Sequence, residues 1–199
     1  RDIDYLCNLG DVIDGQCSFR TDSSKELDSV LNKFNLLDSK VEKIHLIGNH
    51  ELYNFTREEL KNKLQTSRKG GHSNSNKEYY HIKPCKGWRI IVIDPYQISV
   101  IGLKENDKVW QKASKILMNG NPNMNPSVYN GGGSWYHNID GLQRRFVPFN
   151  GGLGQPQIEW LTKQFIEAKE QDEKCILMSH VPLHPKSCDG VAMIWDFPD

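Results

Sequence analysis

Short apolar runs alternate with longer amphipathic stretches along this chain. Residues 3–9 carry the first run, Ile3-Asp4-Tyr5-Leu6-Cys7 reading as a strand closed by Gly10-Asp11. Ser23-x-x-Glu26 then has the spacing of a capping box, and Leu27, Val30, Leu31, Phe34 and Leu37 recur at helical intervals behind it. Ile44 to Ile47 is a second strand, closed by Gly48-Asn49-His50-Glu51. Thr56-x-x-Glu59 opens another helix, to about Gln65, and the polar residues 66–78 read as a loop. Arg89 to Ile93 is the strongest strand and ends at Asp94. Residues 105–117 predict a helix with Val109, Ile116 and Leu117 inward. Residues 118–138, dense in Asn, Gly and Pro, predict a long loop of the lid or binding kind. A helix over Pro156–Ala168 places Ile158, Leu161 and Phe165 on one face, and Cys175–Met178 is a fourth strand ending at Ser179-His180.

Strands alternating with helices imply an α/β layered fold. The informative feature is where the reactive residues fall. Asp11, Asn49, Asp94 and His180 each follow the C-terminal end of an apolar strand, the edge at which α/β sheets bind ligands.

Composition narrows the setting. The chain has 199 residues, with 25 Lys plus Arg against 25 Asp plus Glu. That balance argues against a nucleic-acid binder, which shows a basic excess or stripe. The longest apolar run, Ile90-Ile91-Val92-Ile93, falls far short of the ~20 residues of a membrane span. Cys7, Cys17, Cys85, Cys175 and Cys188 are widely spaced without a C-x-x-C pair, which disfavours a disulfide framework or zinc ribbon and points to a reducing, cytoplasmic compartment. A monomer acting on a small molecule, away from membranes, is the expectation.

The strand-end residues form a set of hard ligands: a carboxylate (Asp11), an amide oxygen (Asn49) and an imidazole (His180). Oxygen and imidazole donors without thiolate suit Mn2+, Mg2+, iron or Zn2+. A carboxylate can bridge two cations ~3.5–4 Å apart, and such a pair clamps a phosphate for in-line displacement. His50 would then face the substrate, to protonate the leaving oxygen or to stabilise the charge growing on the phosphoryl group, and Asp14 is placed to fix its tautomer.

Gly10-Asp11-x-x-Asp14, Gly48-Asn49-His50-Glu51 and His180 after a strand resemble the calcineurin-like metallophosphoesterase superfamily. The segments GDVIDG, GNHELYNFTR, DPYQISVIG, RRFVPFNGG with QIEWL after it, and SHVPLHP look more narrowly like the manganese-dependent ADP-ribose/CDP-alcohol diphosphatases, in order from Gly10 to Pro185. The resemblance implies a layered β-sandwich flanked by helices over residues 1–199 and a dinuclear Mn2+ site, with Mg2+ an alternative. It assigns metal roles to Asp11, Asn49 and His180, and catalysis to His50 paired with Asp14. It implies hydrolysis of the pyrophosphate bond of nucleoside diphosphate derivatives: ADP-ribose to AMP and ribose 5-phosphate, CDP-alcohols to CMP and a phospho-alcohol. Tyr53, Asn54, Arg145 and the Asn150-Gly151-Gly152 turn are its candidate substrate contacts, because an Arg grips phosphate with two bonds and glycines admit it to the backbone.

The chain departs from that pattern at both ends. The D-x-[HQ] motif expected before GDxxD is not found, since Asp2-Ile3-Asp4 does not fit it, and neither is the G-H-x-H expected after the Ser179-His180 strand. The reading is of an internal fragment, incomplete at both ends, that binds Mn2+ weakly and is inactive by itself while its parent is an enzyme. A truncated, non-catalytic relative that binds nucleotide or metal, and a phosphoesterase of another substrate class, stand as the alternatives.

Overall fold

The computed structural model describes residues 3–64, 78–124, 133–188 and 190–197. The loop expected over 66–78 lies almost wholly outside these residues, as does the middle of the 118–138 segment. The first strand, β1 (Tyr5–Asn8), leads into a short helix, α1 (Cys17–Arg20), and then α2 (Ser23–Phe34). Asp22, one residue before the sequence-predicted Ser23, caps α2: its carboxylate accepts the N–H groups of Ser24 and Lys25 at 3.1 and 3.2 Å. β2 (Glu42–His45) returns parallel to β1, Cys7 opposite Ile44.

Two helices then follow in close succession, α3 (Asn49–Asn54) and α4 (Arg57–Leu64). The Thr56/Glu59 capping box forms as expected, with Glu59 Oε2 accepting both the backbone N–H and the hydroxyl of Thr56 at 2.7 Å. α3 is not evident from periodicity, because it is too short to show one.

A second sheet joins β3 (Tyr80–Ile82), β4 (Trp88–Val92) and β5 (Lys174–Met178). β4 is central, antiparallel to β3 and parallel to β5. Its side chains alternate as a strand buried on both faces must. Ile90 and Val92 meet Ile44, Leu46 and Tyr80 in the core between the sheets, while Ile91 joins Ile93 in the larger core beneath the helices. The described residues thus form a two-sheet sandwich with helices outside, the layered α/β architecture the sequence predicts.

Between β4 and β5 lie α5 (Lys108–Gly120) and α6 (Gln155–Glu170). Asp107 caps α5 through the Val109 N–H at 2.7 Å, and its inner face is Trp110, Ala113 and Leu117, with Val109 and Ile116 at the margins. α6 corrects the predicted face: Phe165 is 42% exposed, and the buried residues are Gln157, Gln164 and Ala168. The reason is a buried cation. Arg89 on β4 is 1% exposed and donates to Gln164 Oε1 at 2.7 Å, Glu167 Oε2 at 3.1 Å and Glu173 Oε2 at 2.8 Å. Burying a guanidinium requires such partners, and they turn the amide-bearing side of α6 inward.

Candidate metal centre

The strand ends of both sheets meet at one rim, and a buried carboxylate sets its shape. Glu51 in α3 is fully buried. Its Oε2 accepts the N–H groups of Gly48 and Asp11, each at 2.8 Å, and its Oε1 accepts that of Val12 at 2.7 Å. One side chain therefore holds the loop after β1 against the turn after β2. The approach is close enough to require glycine, since a Cβ on Gly48 would lie 2.2 Å from Asp11 Oδ1. Asp11 itself adopts φ 56°, unusual for a residue with a side chain, and its Oδ1 is held by the His50 N–H at 3.0 Å. Glu51 received no role from the sequence, although its spacing from Gly48 matches the acidic half of a capping box.

His180, after β5, reaches across to the first sheet. Its Nδ1 lies 2.7 Å from the Leu9 carbonyl, to which it donates. That bond leaves Nε2 without a proton in the neutral ring, and Nε2 faces Asn49 Oδ1 at 3.2 Å and Asp11 Oδ1 at 3.6 Å. Three lone-pair atoms thus converge from three strand ends. An imidazole fixed through its other nitrogen by a carbonyl is the arrangement of metal-ligating histidines. The set fits a hard or borderline dication, and Asp11, Asn49 and His180 are the residues that would hold it. It supplies fewer than the four donors such an ion takes. Among the described residues, no group of three or more His, Cys, Asp or Glu side chains forms a fuller site.

His50 stands beside this cluster, partly exposed, with Nε2 3.9 Å from Asp11 Oδ2. Its orientation comes from the main chain: Nδ1 lies 3.3 Å from the Ile13 carbonyl. The expected Asp14–His50 bond does not form. Asp14 Oδ1 instead accepts the Gln16 N–H at 2.7 Å, closing a turn within its own loop. Gly15 lets that loop lie over the histidine, as a Cβ there would be 3.2 Å from His50 Cδ2 and 2.9 Å from Tyr53 Cδ2.

Asn54 is a clamp. Its amide donates to the carbonyls of Asp14, Gly15 and His50, and its Oδ1 accepts from the Ser18 N–H and the Ser23 hydroxyl. Tyr53 places its ring 6.0 Å from that of His50 and its hydroxyl on the Asn49 side chain; burial of that hydroxyl end raises its pKa.

The remaining candidates hold protein. Arg145 is 2% exposed and donates to the carbonyls of Leu142, Trp195 and Phe197. Asn150, also buried, donates to the carbonyls of Arg145 and Val191. Gly152 exchanges two backbone bonds with Ile98 at 2.9 Å, and a Cβ on Gly151 would lie 2.4 Å from the Pro95 carbonyl oxygen. This turn is a packed internal seam, with Gly151 admitting the backbone of Pro95 and Ile98 at close range and Gly152 the Asp196 carboxylate. Asp94 is equally structural, paired with Arg57 at 2.9 Å and accepting the Tyr96 N–H at 2.9 Å.

A family model described as calcineurin-like phosphoesterase matches residues 1–196. Among curated relatives, the manganese-dependent ADP-ribose/CDP-alcohol diphosphatase of Oryza sativa subsp. japonica is 33% identical over 100% of this chain and 57% of its own length. That of Bos taurus is 34% identical over 98% of this chain and 57% of its own length. A solved dimetal phosphatase from Danio rerio superposes with a TM-score of 0.83 at 30% identity, covering 98% of this chain and 60% of that one. The chain therefore spans somewhat more than half the length of the relatives it matches.

Proposed function

This chain belongs to the calcineurin-like phosphoesterase family, and on that premise we propose that it takes part in metal-dependent hydrolysis of the pyrophosphate bond of nucleoside diphosphate derivatives. The observation that carries the reading is the convergence of His180 Nε2, Asn49 Oδ1 and Asp11 Oδ1, with His180 fixed from behind by the Leu9 carbonyl. The names of the relatives supply the substrate class, ADP-ribose or CDP-alcohols, and the metal, manganese. When bound, a pair of such ions polarises the phosphoryl group and supplies the nucleophile at neutral pH.

The chain's own residues do the rest. Asp11, held by Glu51 and the His50 N–H, presents oxygens at a fixed place. His50, anchored at Nδ1, offers Nε2 on the open side of the cluster, where a proton can pass to the leaving phosphate oxygen. Tyr53 lies along the same open side, 43% exposed, in reach of a substrate ring.

The test is release of AMP from ADP-ribose and of CMP from CDP-choline with added Mn2+, with His50→Ala as the control. Turnover lost in the variant and dependent on Mn2+ is the expected result for the whole protein; turnover that survives His50→Ala overturns the role given to it. The three-donor cluster favours a second reading for these 199 residues alone, namely weak Mn2+ binding without turnover. Strong turnover by the isolated chain would refute that reading. No helix among the described residues is long and apolar enough to cross a membrane.

A further inference from the structure

Tyr96 is the largest unexplained group beside the cluster. It is fully buried, and its hydroxyl has no hydrogen-bond partner. A buried, unpaired hydroxyl is costly and uncommon in folded proteins, so its retention calls for a reason. The ring lies 6.1 Å from the His180 ring.

The backbone holds this residue firmly. Tyr96 follows β4, next to the β5 end that carries His180. Its N–H is bound by Asp94 Oδ1 at 2.9 Å, and its carbonyl accepts from Arg57. Gln157 fixes Asp94 from behind, through both the N–H and the carbonyl, each at 2.8 Å. A side chain whose main chain is locked from three directions, yet whose polar end is idle, is placed to meet something absent from the free protein. Solvent does not reach the hydroxyl, so a substrate arriving from outside is not its partner. Beside its ring, 6.1 Å away between centroids, stands the imidazole of the cation ligand His180.

We propose that Tyr96 is a positioning residue of the metal centre: its buried O–H backs the His180–Asp11 side of the cluster and gains its acceptor, an oxygen of that centre, only when the cation is bound. The inference rests on the metal-binding reading above. It predicts two effects of opposite sign from removal of one atom. Tyr96→Phe keeps the ring against His180, so the metal-free fold should be unharmed, with a melting temperature equal to or above that of the unaltered chain. Mn2+ affinity, measured by calorimetric titration, should fall about threefold to tenfold, the range of one ordinary hydrogen bond.

Equal Mn2+ affinity in the variant overturns the proposal while leaving the metal site standing. A lower metal-free melting temperature also overturns it, because the hydroxyl would then already be bonded inside the protein. Failure of the unaltered chain to take up Mn2+ overturns both this and the metal-binding reading.

Discussion

The substitution Glu51→Gln tests whether one carboxylate organises the whole rim. The amide is isosteric, so packing is preserved and only charge and hydrogen-bond polarity change. The new side chain would keep its best geometry by placing its single oxygen where Oε2 now accepts from Gly48 and Asp11. Its NH2 would then face the Val12 N–H, which Oε1 now accepts at 2.7 Å. One charge-assisted bond is lost, worth about 1.5–3 kcal/mol, and a partly buried N–H is left without its acceptor, adding up to about 1–3 kcal/mol. These terms overlap, so the expected loss is about 2–4 kcal/mol, a large share of the stability of a typical domain. For a chain of this size that corresponds to a fall in melting temperature of roughly 5–15 °C. Because the Asp11 N–H is one of the groups held, Mn2+ affinity should drop as well. Thermal unfolding followed by circular dichroism, with and without Mn2+, measures both. A melting temperature within about 2 °C of the unaltered chain would show that the three N–H groups do not depend on this carboxylate, and the account of the rim would fail.

Further outcomes follow from the same geometry. Gly48→Ala puts a methyl group 2.2 Å from Asp11 Oδ1, so Asp11 must move, and calorimetry should show Mn2+ binding lost while much of the helical signal remains. His180→Ala removes the donor contributed by the second sheet and should weaken Mn2+ binding at least about tenfold, within the range for disturbed metal shells. Arg57→Met leaves the buried Asp94 carboxylate without its cation and should cost about 2–4 kcal/mol in urea unfolding. His45 gives the pH dependence: burial and the Lys43 charge lower its pKa in the folded state. The unfolded chain therefore takes up that proton first, and the stability this group contributes is complete above about pH 6.5 and lost as pH falls from there toward the folded value. His45→Phe should remove that loss, so unfolding curves on either side of about pH 6.5 should favour the variant increasingly on the acid side.

The two motifs legible in the sequence, Gly10-Asp11 and Gly48-Asn49-His50-Glu51, needed only local rules: each follows an apolar run, and each run proved to be a strand. The same holds for the Thr56 capping box and for His180 at the end of β5. By itself the sequence determined the layered α/β class, the strand ends at which the candidate donors gather, and the donor types found there, because hydrophobic spacing and strand-to-loop order are properties of neighbours along the chain. Distances across the fold decided the rest. Asp14 and His50 look like partners in sequence, yet Asp14 turns onto the nearer Gln16 N–H, and the Ile13 carbonyl takes the histidine. Arg145 and Asn150 look like phosphate ligands, yet the carbonyls of the distant segment around Trp195 and Val191 claim their donors. Phe165 has the spacing of a core residue, yet burial of Arg89 turns the Gln164 side of α6 inward. In each case a polar group had several possible partners, and the partner that packing of remote elements brought within hydrogen-bonding distance won, since an unpaired buried polar group costs more free energy than an exposed apolar one.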